Sequence, residues 1–271
     1  EENKEKNLMI KSKDIPQKEF FEFKSSSGKK LNFWMIKPQN FNENKSYPVL
    51  LDIYCGPGIQ TVLDSWSYES LWHRMLAQKG FIVISIDTRG TGARGSDFEK
   101  EVYLEHGVKE NIDLQEFSHY LAKQKYIDSE NIMIKGWSYG GFMVLKATSS
   151  EGNVFKSGIS IAPLSDWRFY DTVFTERYMK TPKENNLGYN KSSVLDDCMN
   201  LKSKLLLIHG LADDNVHVQN SYEFLNSCIA ANKQIDFFIY PNRNHSILGG
   251  NTRYHLYSKI NIFLMTSLER E

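Results

Sequence analysis

Short, nearly continuous apolar runs alternate along this chain with longer segments of helical spacing, and this alternation restricts the fold more than any other feature. Ile, Val, Leu and Phe dominate the runs, as expected for strands buried on both faces of a sheet. Strand–helix alternation of this kind predicts an α/β fold, with a doubly wound, mostly parallel sheet and helices on both faces. The predicted strands are Phe20–Lys24, Leu31–Lys37, Val49–Tyr54, Phe81–Asp87, Asn131–Gly136, Ser157–Ala162, Leu205–His209 and Asp236–Tyr240. The predicted helices are Tyr68–Lys79, Ile112–Lys123, Gly140–Ser150, Gln219–Ala231 and Arg253–Thr266.

Three stretches depart from the alternation. Residues 1–18 are charged and without pattern, which predicts a linker or tail before a single domain over residues 19–271. Ser25-Ser26-Ser27-Gly28 is a turn signal between the first two strands and predicts an antiparallel start to the sheet. Residues 167–200 are rich in Tyr, Phe and charge, and we interpret them as a helical excursion above the sheet, where substrate contacts are common.

Charge and composition exclude several classes of protein. Lys and Arg together number 33, as do Asp and Glu, so nothing indicates a nucleic acid or an anionic membrane as partner. The sequence contains no run of about 18 apolar residues, so no transmembrane helix is predicted. Three scattered cysteines, Cys55, Cys198 and Cys228, are too few for a disulfide framework or a zinc site and leave at least one thiol free. Neither a metal nor a cofactor is predicted.

One pentapeptide of the form G-x-S-x-G, Gly136-Trp137-Ser138-Tyr139-Gly140, lies where a predicted strand ends and a predicted helix begins. A serine on such a turn is held in a strained conformation that exposes its hydroxyl, and the helix N-terminus supplies free N–H groups for a developing oxyanion. Because chance alone produces this pentapeptide only occasionally, its position at a strand–helix junction favours Ser138 as a nucleophile.

An α/β-hydrolase places its catalytic residues in the order Ser, acid, His. His245 follows the last predicted strand by a short polar loop and precedes the last helix, which is where this fold places its base. Asp213 and Asp214 both follow the strand Leu205–His209, and either carboxylate could orient the histidine. Spacing favours Asp213 but leaves Asp214 open.

Gly90-Thr91-Gly92-Ala93-Arg94-Gly95 matches G-x-G-x-x-G, the fingerprint of a dinucleotide site. In that fingerprint a helix follows at once, whereas the segment after Gly95 is polar and mixed until helical spacing resumes after Lys109. We therefore interpret the glycines as a tight loop and not as a cofactor site.

Five motifs lie between about Tyr47 and the C-terminus. They read Leu51-Asp52-Ile53-Tyr54-x-Gly56-Pro57, Asp87-x-Arg89-Gly90-x-Gly92, Gly136-Trp137-Ser138-Tyr139-Gly140-Gly141, Tyr170-Asp171-x-Val173-x-Thr175-Glu176-Arg177-Tyr178-Met179 and His209-Gly210-x-Ala212-Asp213-Asp214-Asn215-Val216-His217. Together they resemble the catalytic domains of the prolyl oligopeptidase family of serine peptidases, in particular its dipeptidyl peptidase IV branch. The resemblance implies an α/β-hydrolase fold and cleavage after proline through an acyl-enzyme.

Carried over position by position, the resemblance implies Ser138 as nucleophile, Asp213 as triad acid and His245 as base. It implies an oxyanion hole formed by the Tyr54 hydroxyl and the Tyr139 backbone N–H. A neutral phenol suits this role because it donates to a developing negative oxygen. The resemblance further implies that Asn215 binds the substrate carbonyl one residue before proline and that the proline pocket is lined by Tyr139, Leu164, Trp167, Tyr170, Phe174 and Val216.

Relatives carry an N-terminal β-propeller whose paired glutamates bind the free amino group of the substrate. Because the chain begins at Glu1 without an initiator Met, we expect a fragment that lacks this propeller. The expected partners are peptides with proline at the cleavage position, the propeller of the same parent chain, and a second copy bound through the helix Gln219–Ala231 and the C-terminal helix. The resemblance favours an extracytoplasmic location, although this chain shows no signal peptide.

Three alternative functions remain at this point. A prolyl tripeptidyl peptidase would share every motif and release three residues instead of two. A carboxylesterase has the same fold but no reason to keep the motif from Tyr170 to Met179. A catalytically inactive relative would lose the nucleophile, whereas this chain keeps Ser138, Asp213, His245 and Tyr54 together.

Overall fold

A computed structural model describes residues 15–269 of the chain. Its core is an eight-stranded sheet in the order β1-β2-β4-β3-β5-β6-β7-β8. The first two pairings, β1 with β2 and β2 with β4, are antiparallel, and all the others are parallel. The strands are β1 (Lys18–Lys24), β2 (Lys30–Ile36), β3 (Tyr47–Ile53), β4 (Ile82–Ile86), β5 (Ile127–Trp137), β6 (Ser157–Ile161), β7 (Lys204–Gly210) and β8 (Asp236–Tyr240). The predicted α/β-hydrolase fold and its antiparallel start are confirmed.

Helices cover both faces of the sheet, and each face has its own apolar core. Helices α3, α4 and α7 pack on one face, where Leu114, Phe142 and Phe224 are fully buried. Helices α1 and α8 pack on the other face, where Leu76 and Ile260 are fully buried. The helices are α1 (Ser70–Gln78), α2 (Ser96–Glu99), α3 (Val108–Ala122), α4 (Tyr139–Thr148), α5 (Thr172–Met179), α6 (Asn186–Ser192), α7 (Gln219–Ala230) and α8 (Thr252–Leu268). No described helix is both long and apolar enough to cross a membrane.

The segment after β6 forms the helical excursion that the sequence predicts. It contains a 3-10 helix at Trp167–Phe169, the helices α5 and α6, and a second 3-10 helix at Asp196–Asn200. A disulfide joins Cys198 in that last turn to Cys228 in α7, so the excursion is covalently tied to the domain where it ends. Cys55 is buried and unpaired.

Two predicted elements begin four residues away from their observed starts, and the other predicted boundaries lie within two residues of the observed ones. Helix α3 begins four residues before the predicted Ile112, because Gly107 takes a left-handed conformation, with φ 80°, and starts the helix there. Strand β5 begins at Ile127 instead of Asn131, since Ile127 pairs with Tyr47 of β3 across a bulge. The predicted tail over residues 1–18 overlaps β1 by one residue, and residues 1–14 lie outside the described residues.

Candidate active site

Ser138 lies on a sharp turn between the end of β5 and the start of α4. Its backbone angles are φ 59° and ψ −118°, a region that residues other than glycine seldom adopt. The turn needs glycine on both sides. A Cβ atom at Gly136 would lie 2.2 Å from the Gly140 carbonyl oxygen, and one at Gly140 would lie 2.3 Å from the Ile53 carbonyl oxygen. The strained turn therefore holds Ser138 at the N-terminal end of a helix, as the pentapeptide predicts.

Parallel strands bring an acid and a base to the same edge of the sheet. Asp213 follows β7, His245 follows β8, and His245 Nδ1 lies 2.7 Å from Asp213 Oδ2. The Asp213 side chain is fully buried, and its Oδ1 accepts hydrogen bonds from the backbone N–H groups of Asn215 and Val216. Although burial alone would raise the pKa of Asp213, hydrogen bonds from His209 and His245 hold it well below its usual range. An ionised Asp213 orients the His245 ring with Nδ1–H donating, which leaves Nε2 as a proton acceptor.

Asp214 and His209 are close in sequence to Asp213, but their surroundings differ from those of the Asp213–His245 pair. Asp214 is exposed, so the structure brings Asp213 and not Asp214 to His245. His209 is fully buried at the end of β7, with Nε2 2.8 Å from the Val216 carbonyl oxygen and Nδ1 2.7 Å from Ser221 Oγ. His209 Nε2 also lies 3.2 Å from Asp213 Oδ2, the same oxygen that faces His245, so both histidines support the ionised acid.

Tyr54 follows β3, the strand beside β5, and its hydroxyl lies within hydrogen-bonding reach of the Ser138 side chain. Burial raises the pKa of the Tyr54 phenol, and the hydrogen bond with Ser138 opposes part of that shift. The phenol is therefore a neutral donor near pH 7. Tyr139 is the first residue of α4, so its backbone N–H has no acceptor within the helix. Both groups that the sequence assigns to an oxyanion hole thus flank Ser138.

Aromatic side chains from the excursion cluster beside Tyr139, where the resemblance places the proline pocket. The Trp167 and Phe174 rings stack with centroids 5.7 Å apart, and Tyr170 meets Phe174 edge to face at 5.6 Å. The Tyr170 hydroxyl donates to Asn215 Oδ1 at 2.8 Å and so links the pocket to the loop that carries Asp213. The remaining predicted lining residues, Leu164 and Val216, are buried in the same apolar cluster as Trp167.

Two buried residues that the sequence reasoning missed, Glu110 and His106, contact the aromatic side chains of this pocket. The Tyr139 hydroxyl donates to Glu110 Oε1 at 2.6 Å, and burial raises the pKa of Glu110 to about 7. The His106 ring contacts the rings of Tyr139, Trp167 and Phe174. Its nitrogens have no hydrogen-bond partner in the described part of the chain, and burial lowers the pKa of His106 to about 3.

A sequence signal for Glu110 did exist. Glu110, Leu114, Phe117 and Leu121 follow the spacing of one helical face, and all four are buried. Extending the predicted helix toward its N-terminus would have placed the carboxyl of Glu110 on the apolar face. His106 precedes the helix and carries no comparable signal.

Among the described residues, Asp52, Glu69 and His73 bring potential metal ligands within 4.8 Å of one another. The ammonium group of Lys135 already hydrogen-bonds to both carboxylates, at 3.0 Å from Asp52 and closer still to Glu69. His73 Nε2 lies 2.6 Å from Asp52 Oδ2. Because the lysine supplies the positive charge in this cluster, we interpret it as a buried ion-pair network and not as a metal site.

The glycine-rich segment after β4 does not open a long helix. Only the single turn of α2 follows Gly95, before a 3-10 turn. A Cβ atom at Gly92 would lie 2.7 Å from the Gly58 carbonyl oxygen, so the glycines let this loop pack against the loop that carries Tyr54. The segment supports the candidate site and has the loop role that the sequence predicts.

Comparisons with known proteins point to a single family of peptidases. A family model described as "Prolyl oligopeptidase family" matches residues 66–271. A relative named "Probable dipeptidyl-aminopeptidase B" from Sclerotinia sclerotiorum is 37% identical over all of this chain, which spans 30% of that relative. The crystal structure of Porphyromonas gingivalis dipeptidyl peptidase 4 is 44% identical, with a TM-score of 0.94 over 98% of this chain and 38% of that chain. A putative dipeptidyl aminopeptidase IV from Bacteroides ovatus is 34% identical, with a TM-score of 0.89. The chain therefore spans about a third of the length of these similar proteins.

Proposed function

Because this chain belongs to the prolyl oligopeptidase family, we propose that it is the serine peptidase domain of an enzyme that cleaves after proline and releases N-terminal dipeptides. The observation that carries the proposal is that aromatic side chains of the excursion pack against Tyr139, the residue after the strained Ser138, while Asp213 orients His245 at the same edge of the sheet. Trp167, Tyr170 and Phe174 offer a flat apolar slot that suits a pyrrolidine ring and disfavours long or charged side chains.

In the proposed reaction, His245 Nε2 removes the Ser138 proton while the Ser138 oxygen attacks the carbonyl carbon of proline. The Tyr54 hydroxyl and the Tyr139 N–H donate to the oxygen of the tetrahedral intermediate. His245 then returns the proton to the leaving amine, which breaks the peptide bond and leaves an acyl-enzyme on Ser138. Water attacks this ester with His245 again as the base, and the dipeptide departs. Throughout, Asp213 stabilises the imidazolium form of His245.

A fluorophosphonate probe and two substrates test the proposal. The protein should react with the probe and hydrolyse a Gly-Pro aryl amide, whereas Ser138→Ala should do neither while its far-ultraviolet circular dichroism stays unchanged. A short-chain aryl ester separates the peptidase from an esterase. Preferred hydrolysis of the ester, or labelling that survives in Ser138→Ala, would refute the proposal.

The number of residues released belongs to the same proposal and can be read directly. Mass spectrometry of the products from a peptide with proline at its second and third positions distinguishes release of two residues from release of three. We propose release of two, on the strength of the dipeptidyl peptidases among the similar proteins.

We further propose an oxidising, extracytoplasmic location and a homodimer. The disulfide between Cys198 and Cys228 supports the location, since such bonds persist mainly outside the reducing cytosol. Apolar side chains exposed on the outer helices, such as Ile229 on α7 and Ile262 on α8, support a contact between two copies. Light scattering of the wild type and of an Ile229→Asp variant tests the dimer, which the variant should weaken.

A further inference from the structure

Arg253, in the first turn of α8, carries two buried guanidinium nitrogens that find no acceptor in the described part of the chain. The guanidinium group lies between two aromatic rings, with its central carbon 4.7 Å from the Trp137 ring centroid and 5.3 Å from that of Tyr68. Its Nε and Nη1 atoms are buried and have no hydrogen-bond partner among residues 15–269. A guanidinium carries five N–H donors, and leaving buried donors unpaired is costly. The arrangement is therefore suited to an anion that the free chain does not supply.

The arginine stands next to the catalytic residues. Trp137, on which it packs, directly precedes Ser138 in the chain. The Trp137 indole Nε1 also donates to the carbonyl oxygen of His245 at 3.0 Å. One aromatic ring thus separates Arg253 from the turns that carry the candidate nucleophile and base.

A cavity of about 260 Å³ borders both Trp137 and Tyr68 and reaches Tyr54. None of the aromatic residues of the proposed proline pocket lines it. In the reaction proposed above, the proline side of the substrate occupies that pocket, so the leaving peptide must lie elsewhere around Ser138. The cavity borders Tyr54, which interacts with the Ser138 side chain, and Trp137, which precedes Ser138, so it is a space in which the leaving peptide can lie.

The charges around this cavity favour an anion. The carboxylates of Asp52 and Glu69 are already bound by the ammonium group of Lys135. Lys18 also lines the cavity, and its Nζ donates to the backbone carbonyl oxygens of Leu63 and Ser65. The two lysines and two carboxylates of the lining balance in charge, and Arg253, which packs on Trp137 and Tyr68 at the border of the cavity, adds a positive charge. The N-terminal end of α8 adds further positive potential.

We propose that Arg253 binds the terminal carboxylate of a short leaving peptide, so that the enzyme favours substrates with only one or two residues after the scissile bond. The planar guanidinium fork matches a carboxylate in a two-point hydrogen bond. An extended residue spans about 3.3–3.6 Å, so a leaving peptide of one or two residues keeps its terminal carboxylate within roughly 3–7 Å of the scissile bond. Tyr68 is largely exposed, so its ring can move aside to admit the carboxylate. This inference rests on the proposed function and adds a specificity to it.

The test compares the tripeptide Gly-Pro-Ala with its C-terminal amide, which differ only in the charge that Arg253 would bind. We expect the wild-type enzyme to show a kcat/KM at least tenfold higher for the free acid, equivalent to about 1.4 kcal/mol. In Arg253→Gln this ratio should fall to near one, and in Arg253→Lys it should take an intermediate value. Lys259→Gln serves as the matched control. It removes another cation that packs on an aromatic ring, Phe238, on the same helix but away from this cavity, and should keep the wild-type ratio.

Equal kcat/KM values for acid and amide in the wild type would overturn the inference without any variant. A ratio that survives in Arg253→Gln, or that Lys259→Gln lowers equally, would overturn it too. A Gly-Pro aryl amide provides the separate check on the proposed function. If the wild type fails to hydrolyse that substrate, the proposed function is wrong, whereas hydrolysis without discrimination between acid and amide refutes only the role of Arg253.

Discussion

The Tyr54 hydroxyl interacts with the Ser138 side chain in the free protein, which places this donor where negative charge would develop during attack by Ser138. Tyr54→Phe removes this one donor and keeps the ring. We expect kcat to fall by about 100- to 1000-fold with little change in KM, because the donor acts on the transition state. Steady-state kinetics with a Gly-Pro aryl amide measures both. Tyr170→Phe, which loses only a hydrogen bond to Asn215, should instead act mainly on KM. If Tyr54→Phe changed mainly KM and Tyr170→Phe mainly kcat, the transition-state donor would be Tyr170 and not Tyr54.

Asp213 and Asp214 are adjacent acids with very different surroundings. Asp213→Asn should lower kcat by about 10,000-fold, because an amide can neither fix the His245 tautomer nor stabilise its positive charge. Asp214→Asn should stay within about threefold of the wild type, since this side chain is exposed. The same aryl amide assay checks both variants. Similar losses in the two would mean that the loop after β7 is arranged differently from the structure.

Asp213 and Asp214 also mark the limit of what the residues alone could predict. Both acids follow the same strand, so spacing favoured Asp213 only weakly, and the resemblance to a family decided the choice. The structure adds the physical reason, which is that Asp213 Oδ1 caps the N–H groups of Asn215 and Val216 while Oδ2 faces His245. Arg253 could not be singled out from the sequence, because its lack of a partner depends on rings from two other parts of the chain.

At the scale of elements, every predicted strand and long helix has its counterpart in the structure, because each is a distinct apolar or amphipathic segment. The boundaries were less predictable. The start of α3 depends on the left-handed Gly107, and the start of β5 depends on pairing with Tyr47 far away in the chain. Pairing of Cys198 with Cys228 was equally out of reach, since three cysteines permit three pairings.

This disulfide closes a loop over a sequence separation of 30 residues and ties the excursion to α7. A loop of that length stabilises the folded state by about 3–4 kcal/mol in the chain-entropy description. Replacing both Cys198 and Cys228 by alanine should lower the urea midpoint accordingly. Reduction of the wild type should have a similar effect, while the double variant should be insensitive to reductant. A thiol assay of the unreduced, denatured wild type should count Cys55 alone, and three free thiols would contradict the pairing.

At the scale of the whole molecule, buried ionisable groups set the pH range of stability. The pKa of Asp52 lies near 2, because Lys135 and His73 together outweigh the effect of its burial. The contribution of Asp52 to the stability of the folded state is present above its unfolded pKa of about 3.9 and is lost as the pH falls through 2. The pKa of Glu110 is raised to about 7 by burial, so its contribution is present below the unfolded value of about 4.3 and is lost as the pH rises through 7. Stability from these two groups is therefore greatest in a mildly acidic window.

Glu110→Gln tests whether the ionisation of Glu110 causes the loss of stability as the pH rises above that window. The amide carbonyl can still accept the Tyr139 hydroxyl hydrogen bond but carries no charge into the core. The variant should match the wild type near pH 4 and become more stable than it as the pH rises from 5 to 8, by up to about 3 kcal/mol. Urea unfolding at several pH values, read from the tryptophan fluorescence, measures the difference. A difference that does not vary with pH would show that Glu110 has the same pKa in the folded and unfolded protein, and a variant that becomes less stable than the wild type with rising pH would reverse the sign of its pKa shift.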